Sequence, residues 1–243
     1  MTRCVIVIPA RMGATRFPGK PLVDLLGKPM VQWVVEAARA SEVAERVIVA
    51  TPDQEIIDCV TAFGGEGVLT SHAHQTGTDR IAEVAELIES EVYVNVQGDE
   101  PLILASSIAA CAGPLLKDSS IEMGSVYSHC PENEYENPAV VKVVTDMNGF
   151  ALYFSRCPIP FERNSRVAPV KKHVGLYAYR REALQQFAQW SMGITESAES
   201  LEQLRFMENG VRIFMTEAEG TALAVDTPEQ ADEVRQLLRS RVP

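Results

Sequence analysis

The sequence predicts an α/β protein built on a mostly parallel central sheet with helices on both faces. Three observations carry this expectation. Short runs rich in β-branched residues alternate with helix-length segments through the first half. The runs are apolar without interruption, as strands covered on both faces require. Glycine and proline punctuate the junctions between them.

In chain order, Cys4-Val5-Ile6-Val7-Ile8 reads as the first buried strand. A glycine- and arginine-bearing loop follows, then a helix from about Pro29 to Ser41. Pro29 suits its first turn, and Met30, Val34, Ala37 and Ala38 share one buried stripe. Arg46-Val47-Ile48-Val49-Ala50 is the second strand. Thr51-Pro52-Asp53-Gln54 has the form of a capping box. It opens a helix through Ile56, Ile57 and Val60 that stops before Gly64-Gly65. A short strand near Val68-Leu69, a helix from about Thr78 to Glu89 and the strand Val92-Tyr93-Val94-Asn95-Val96 complete the alternation.

Beyond Gly98-Asp99-Glu100-Pro101 the pattern is mixed. Strands are expected near 140–144, 151–155, 175–179 and 213–216, and helices near 181–189 and 198–209. Thr227-Pro228-Glu229-Gln230 repeats the capping-box signal before a last helix. Segments 131–138 and 162–169 read as mobile loops. With no internal repeat, low-complexity segment or composition break, residues 1–243 are expected to form a single domain.

A net charge of −11 and a pI near 4.9 exclude the basic face that a nucleic-acid or anionic-membrane binder needs. A small anion held by a few local cations is still compatible with them. The five cysteines form no Cys-x-x-Cys pair and the histidines no helical i, i+4 pair, so neither a disulfide framework nor a zinc site is indicated. The apolar N-terminal run is too short for a signal or a membrane span, which predicts a cytoplasmic protein.

The chemistry is concentrated in Pro9-Ala10-Arg11-Met12-Gly13-Ala14-Thr15-Arg16-Phe17-Pro18-Gly19-Lys20-Pro21. This loop begins at the carboxyl end of the first strand, where open α/β sheets bind ligands. Arg11, Arg16 and Lys20 on a glycine-bearing loop suit a polyphosphate. The loop is not a Walker A motif, because Gly13 to Gly19 is one residue too long and Pro21 replaces the Ser or Thr. On composition alone, a solvated basic loop is an equal reading. Asp99, just past the fourth strand, and Asp226, before a late helix, have the chemistry to share a hard cation. Taken singly, each is also a turn or cap residue.

This loop does not stand alone. Thr76-Gly77-Thr78-Asp79-Arg80, Asn95-Val96-Gln97-Gly98-Asp99-Glu100-Pro101, Ala151-Leu152-Tyr153-Phe154-Ser155-Arg156, His173-Val174-Gly175-Leu176-Tyr177, Leu201-Glu202-Gln203-Leu204-Arg205 and Val225-Asp226-Thr227-Pro228 accompany it. Together, in order and spacing over nearly the whole chain, they resemble the 3-deoxy-manno-octulosonate (Kdo) cytidylyltransferase family. The stretch from Lys171 to Arg181 is most similar to the capsule-type form.

The resemblance implies a Rossmann-like nucleotide-diphospho-sugar transferase fold, with a smaller β-rich insertion at about 120–192 that packs between the subunits of a homodimer. It implies transfer of CMP from CTP to Kdo with Mg²⁺, for lipopolysaccharide or capsule synthesis. Arg11, Lys20, Asp99 and Asp226 would be catalytic, and the two aspartates would hold the metal. Pro9, Ala10, Arg11, Arg16, Lys20, Thr70, Thr78, Arg80 and Gln97 would bind the nucleotide. Gln97, Arg156, His173, Tyr177, Glu202 and Gln203 would bind the sugar acid, Arg156 pairing with its carboxylate. His173 and Tyr177, at i and i+4 on a strand, face one side. Three departures stand out: Met12 and Ala14 replace the family's aromatic residue and serine, and Ala224 replaces a glycine. The lost hydroxyl removes about 0.5–1.5 kcal/mol of hydrogen bonding. A cytidylyltransferase for 8-amino-Kdo or a sialic-acid type substrate, a silent nucleotide-binding homologue and a glycosyltransferase are the alternative readings.

Overall fold

The computed structural model describes residues 2–13, 16–74, 76–164, 169–219 and 223–241. The chain runs β1 (Thr2–Pro9), the short hairpin β2 (Asp24–Leu25) and β3 (Lys28–Pro29), α1 (Met30–Ala40), β4 (Arg46–Thr51), α2 (Gln54–Ala62), β5 (Glu66–Leu69), α3 (Gly77–Leu87) and β6 (Ser90–Asn95). It continues with α4 (Ala105–Lys117), β7 (Met123–His129), β8 (Lys142–Thr145), β9 (Ala151–Ser155), β10 (Lys171–Arg180), α5 (Arg181–Phe187), α6 (Ile194–Glu199), α7 (Gln203–Glu208), β11 (Ile213–Glu217) and α8 (Pro228–Arg241).

The central sheet has the order β11-β7-β10-β6-β1-β4-β5. Its pairs are parallel except where β10 runs against β6 and β7. The alternating residues of β1 explain the two layers. Cys4, Ile6 and Ile8 face α1, α2 and α4, while Val5 and Val7 face α3, α5 and α7. From Cys4 to Ile8 neither face of β1 meets water, hence the unbroken apolar run. The chain winds from β1 outward through β4 and β5, then crosses back to β6 on the other side of β1. That reversal opens a crevice at the carboxyl ends of β1 and β6.

Besides the short hairpin β2–β3, α4 and β7 have no counterpart in the sequence reading. α4 runs through Gly113 and Pro114. Packing outweighs the proline: Ile108, Cys111, Ala112 and Leu115 are buried in the sheet-facing core. β7 carries Gly124, Ser125 and Ser128, poor strand formers that sit between β10 and β11. The helix expected at 198–209 is instead two, α6 and α7, broken where Ser200 turns left-handed at φ 52. β10 starts at Lys171, earlier than expected.

The box expected at Thr51 does not form. Asp53 is the N-cap of α2 and makes no side-chain cap bond. The box at Thr227 does form: Gln230 accepts from the Thr227 N–H at 3.1 Å and donates its own N–H to the Thr227 hydroxyl at 3.4 Å.

Within 120–192, β7 and β10 are strands of the central sheet, whereas β8 and β9 form a hairpin attached to the first residues of β10. The segment read as a loop at 131–138 contains a 3-10 turn and the buried Tyr135, whose hydroxyl donates to the Pro160 carbonyl at 3.0 Å. Lys142, fully buried, donates to the carbonyls of Asn137, Val140 and Arg156 at 2.7–3.0 Å and ties this segment to the hairpin. The other expected mobile loop, 162–169, lies partly outside the described residues. Among the described residues no helix is long and apolar enough to cross a membrane.

Candidate active site

A cavity of about 390 Å³ opens at the carboxyl ends of β1 and β6, walled by the loop after β1, the start of α3 and the segment before α8. Pro9 and Ala10 form its floor, and Ala10 extends the sheet by donating its N–H to the Ala50 carbonyl at 3.0 Å. The following loop closes on itself where the Gly19 N–H meets the Met12 carbonyl at 2.9 Å. Gly19 adopts φ 73, a left-handed turn that glycine takes without strain and that brings Lys20 back to the cavity. Gly98 is needed for close approach: a Cβ there would lie 2.7 Å from the Pro9 carbonyl oxygen. Ala14 and its lost hydroxyl lie outside the described residues.

Lys20 is the centre of the site. Its ammonium donates to Asp99 Oδ2 at 2.6 Å, to Asp226 Oδ1 at 3.0 Å and to the Val225 carbonyl at 3.2 Å. Arg16 reaches the other oxygen of Asp226 at 2.8 Å. Burial alone would lower the Lys20 pKa, but the charges and hydrogen bonds of Asp99 and Asp226 outweigh it and raise the pKa. The two aspartates are joined by the backbone as well, since the Val225 N–H donates to the Asp99 carbonyl at 2.8 Å.

Carboxylate oxygens of both aspartates and one carbonyl therefore converge on a single cation. An all-oxygen set of this kind fits a hard divalent ion. Among the described residues no group of three His, Cys, Asp or Glu is assembled. The protein thus offers a partial shell, as magnesium sites completed by phosphate oxygens and water do.

Arg11 lines the same cavity and forms no ion pair among the described residues. Arg80 lines it too, with its guanidinium on the hydroxyl of Thr70 and on the Ser71 carbonyl at 3.1 Å. Burial lowers the Arg80 pKa, and the like charge of Arg11 adds to the effect. Two guanidiniums facing one space inside a strongly acidic chain call for an anion between them. Thr76 and Asp79 cap α3 reciprocally and so fix the turn that carries Arg80. Thr78 is bonded to Glu202 at 2.8 Å, and Glu202 and Gln97 complete the wall. Burial holds the Glu202 carboxyl above its ordinary pKa, against the hydrogen bond from Thr78.

The remaining sugar-acid residues divide. His173, Tyr177 and Gln203 form a connected group beyond Gln97. The rings of His173 and Tyr177 are 5.4 Å apart, on one side of β10 despite a bulge between them, and the Tyr177 hydroxyl donates to Gln203 at 3.2 Å. The Gln203 amide nitrogen is buried without a hydrogen-bond partner. Arg156 does not join them. Its guanidinium donates to the carbonyls of Pro138, Glu199 and Ser200 at 2.7–3.3 Å, and it is absent from the cavity wall. Three of its five N–H groups are thus on backbone carbonyls, and two are left for the expected pairing with a substrate carboxylate. His74, held by Glu83, lines the cavity although no sequence pattern marked it.

His173 is enclosed by Phe154, Tyr177 and Ser125, and burial pushes its pKa from 6.5 down to about 3. Between those values the unfolded chain binds a proton that the folded chain refuses, so this residue costs stability as pH falls from 6.5 towards 3. Urea midpoints of wild type and His173→Gln are expected to converge, or cross in favour of the variant, on going from neutral pH to about 5. Parallel pH slopes would contradict the burial of the ring.

The cytidylyltransferase family profile matches residues 5–213. A 3-deoxy-manno-octulosonate cytidylyltransferase of Geotalea daltonii is 48% identical over 97% of this chain and 98% of its own length. That of Escherichia coli is 43% identical over 98% and 97%. A solved CMP:2-keto-3-deoxy-manno-octonic acid synthetase complexed with CTP superposes with a TM-score of 0.96 at 42% identity, covering 99% of this chain and 100% of that one. The 4-diphosphocytidyl-2C-methyl-D-erythritol synthase of Anaerococcus prevotii, at 11% identity and a TM-score of 0.67, shares the fold.

Proposed function

The chain belongs to the cytidylyltransferase family, and on that premise we propose that it transfers CMP from CTP to the anomeric 2-hydroxyl of Kdo, giving CMP-Kdo and pyrophosphate. One observation carries the reading. Lys20 bridges Asp99 and Asp226 on one wall of a cavity where Arg11, Arg16 and Arg80 also gather. The curated relatives of this name supply the substrate.

Arg11, Arg16 and Lys20 neutralise the triphosphate and the developing charge on the leaving pyrophosphate. Arg80, braced by Thr70, and Thr78 at the start of α3 form the nucleoside side. Gln97 and Glu202 stand between this side and the group His173, Tyr177 and Gln203, whose neutral hydrogen-bonding atoms suit sugar hydroxyls. The His173 ring, whose pKa burial depresses, is uncharged at neutral pH. A Mg²⁺ ion held by Asp99 and Asp226 would supply charge neutralisation at the α-phosphate and alignment of the triphosphate. Positioning and electrostatics account for the catalysis, and no general base is assigned.

A homodimer in the cytoplasm completes the proposal. The exposed Leu152 of β9 and Phe161 beyond it offer apolar surface for a partner copy, and a reaction that consumes CTP fits that compartment.

Pyrophosphate release should require CTP, Mg²⁺ and Kdo together. A panel including 8-amino-Kdo and sialic acid tests the acceptor, and preference for sialic acid would reject Kdo. Binding of CTP without turnover on any acceptor would identify a silent homologue.

A further inference from the structure

Asp53 stands at the N-cap of α2 in extended conformation, at φ −104 and ψ 118, but its carboxylate caps nothing in that helix. Its Oδ2 instead accepts the backbone N–H of Met12 at 2.7 Å, from a residue far earlier in the chain. Its own N–H is fixed on the hydroxyl of Thr51 at 3.1 Å, and Thr51 is fully buried. The amide two residues before Met12, that of Ala10, is fixed on Ala50. Arg11 therefore lies between two anchored amides, and both anchors come from the end of β4 and the turn into α2.

The charge of Asp53 favours the protonated Arg80 guanidinium and suits the N-terminus of α2, but neither effect requires its bond to Met12. A carboxylate beside a loop that binds a triphosphate weakens anion binding, and the helix-capping role open to it is not exercised. The Met12 carbonyl also receives the Gly19 N–H, so the peptide unit that Asp53 steadies neighbours the closure bringing Lys20 to the cavity.

We propose that Asp53 is a positioning residue for the triphosphate: it holds the Met12 amide and thereby fixes the direction in which Arg11 enters the cavity. The proposal rests on the CTP reading above and adds to it a residue outside the cavity wall. It requires an acceptor oxygen at this point but not a negative charge.

The test uses the full chain with Asp53→Asn, Asp53→Ser and Asp53→Ala. Asparagine keeps a carbonyl acceptor that reaches Met12. Serine can cap α2 but is too short to span the gap, so it separates loop anchoring from helix stability. CTP affinity is measured by calorimetry without sugar acid, alongside KM for each substrate and the melting temperature. Serine and alanine are expected to weaken CTP binding and raise the KM for CTP about tenfold, the upper scale of one lost hydrogen bond. The KM for Kdo should be unchanged, and asparagine should stay within about twofold of wild type. Wild-type CTP affinity in the serine variant overturns the proposal, whatever its melting temperature. An asparagine variant as weak as alanine overturns it as well, by showing that charge is what matters. A wild type that binds no CTP rejects the function reading and this proposal together, so the two failures are distinguishable.

Discussion

Exchanging Asp99 or Asp226 for alanine is expected to cut turnover by at least about 100-fold, the scale of lost transition-state electrostatics. Each carboxylate holds the Lys20 ammonium, at 2.6 and 3.0 Å, so the loss of either leaves that ammonium with a single acidic partner. It also halves the carboxylate set proposed for the metal. The defect should be chemical and not structural, because the backbone bond from Val225 to Asp99 survives both exchanges and keeps the two segments together. Pyrophosphate release at saturating CTP, Mg²⁺ and Kdo measures the effect, and circular dichroism checks the fold. Rates near wild type in both variants would refute the assignment of a shared cation to this pair.

Arg205→Met is expected to destabilise the fold by about 3–5 kcal/mol, the cost of leaving a buried charge unpaired. Arg205 holds Glu196 through two hydrogen bonds of 2.6 Å, and the two side chains are 9% and 3% exposed. The guanidinium also lies 4.2 Å over the ring of Phe187. The hydrogen bonds that Arg205 donates to Glu196 raise the Arg205 pKa against its burial. Removing both charges is a different matter: the double variant Arg205→Met with Glu196→Met should recover most of the loss, since apolar pairs replace buried ion pairs well. Urea unfolding of the two single variants and the double closes the cycle. A double variant as unstable as Arg205→Met would show that the pair stabilises by shape and not by charge balance. Its location gives it further weight, because it ties α6 to α7 across the turn that presents Glu202 and Gln203.

The first half of the fold was legible because β1, β4 and β6 are buried on both faces, which writes strand as an unbroken apolar run. α4 and β7 were not legible: their glycine, proline and serine are tolerated by packing that local propensity does not express. The cationic loop announced itself by its charges in an acidic chain. The meeting of Asp99 with Asp226 depended on the resemblance, since it is made by tertiary structure between distant segments. Asp53 was visible only as a cap, because the bond it makes reaches to another loop. Arg156 shows the opposite limit. Its residue type suits a carboxylate, but how many of its N–H groups are open to a ligand depends on the carbonyls around it, and three of the five are on carbonyls here.

The reversed direction of β10 has a consequence for how the protein could change. Tyr177 is level with Asn95, the last residue of β6, so the first residues of β10 overhang the rim where β6 stops. They make a ledge above the crevice, built from late sequence and braced by β7 and β8. On the proposed function, the nucleotide would lie against loops below the rim, and the sugar acid in part against the ledge. Selection can therefore reshape the ledge for a new acid while the donor loops stay intact.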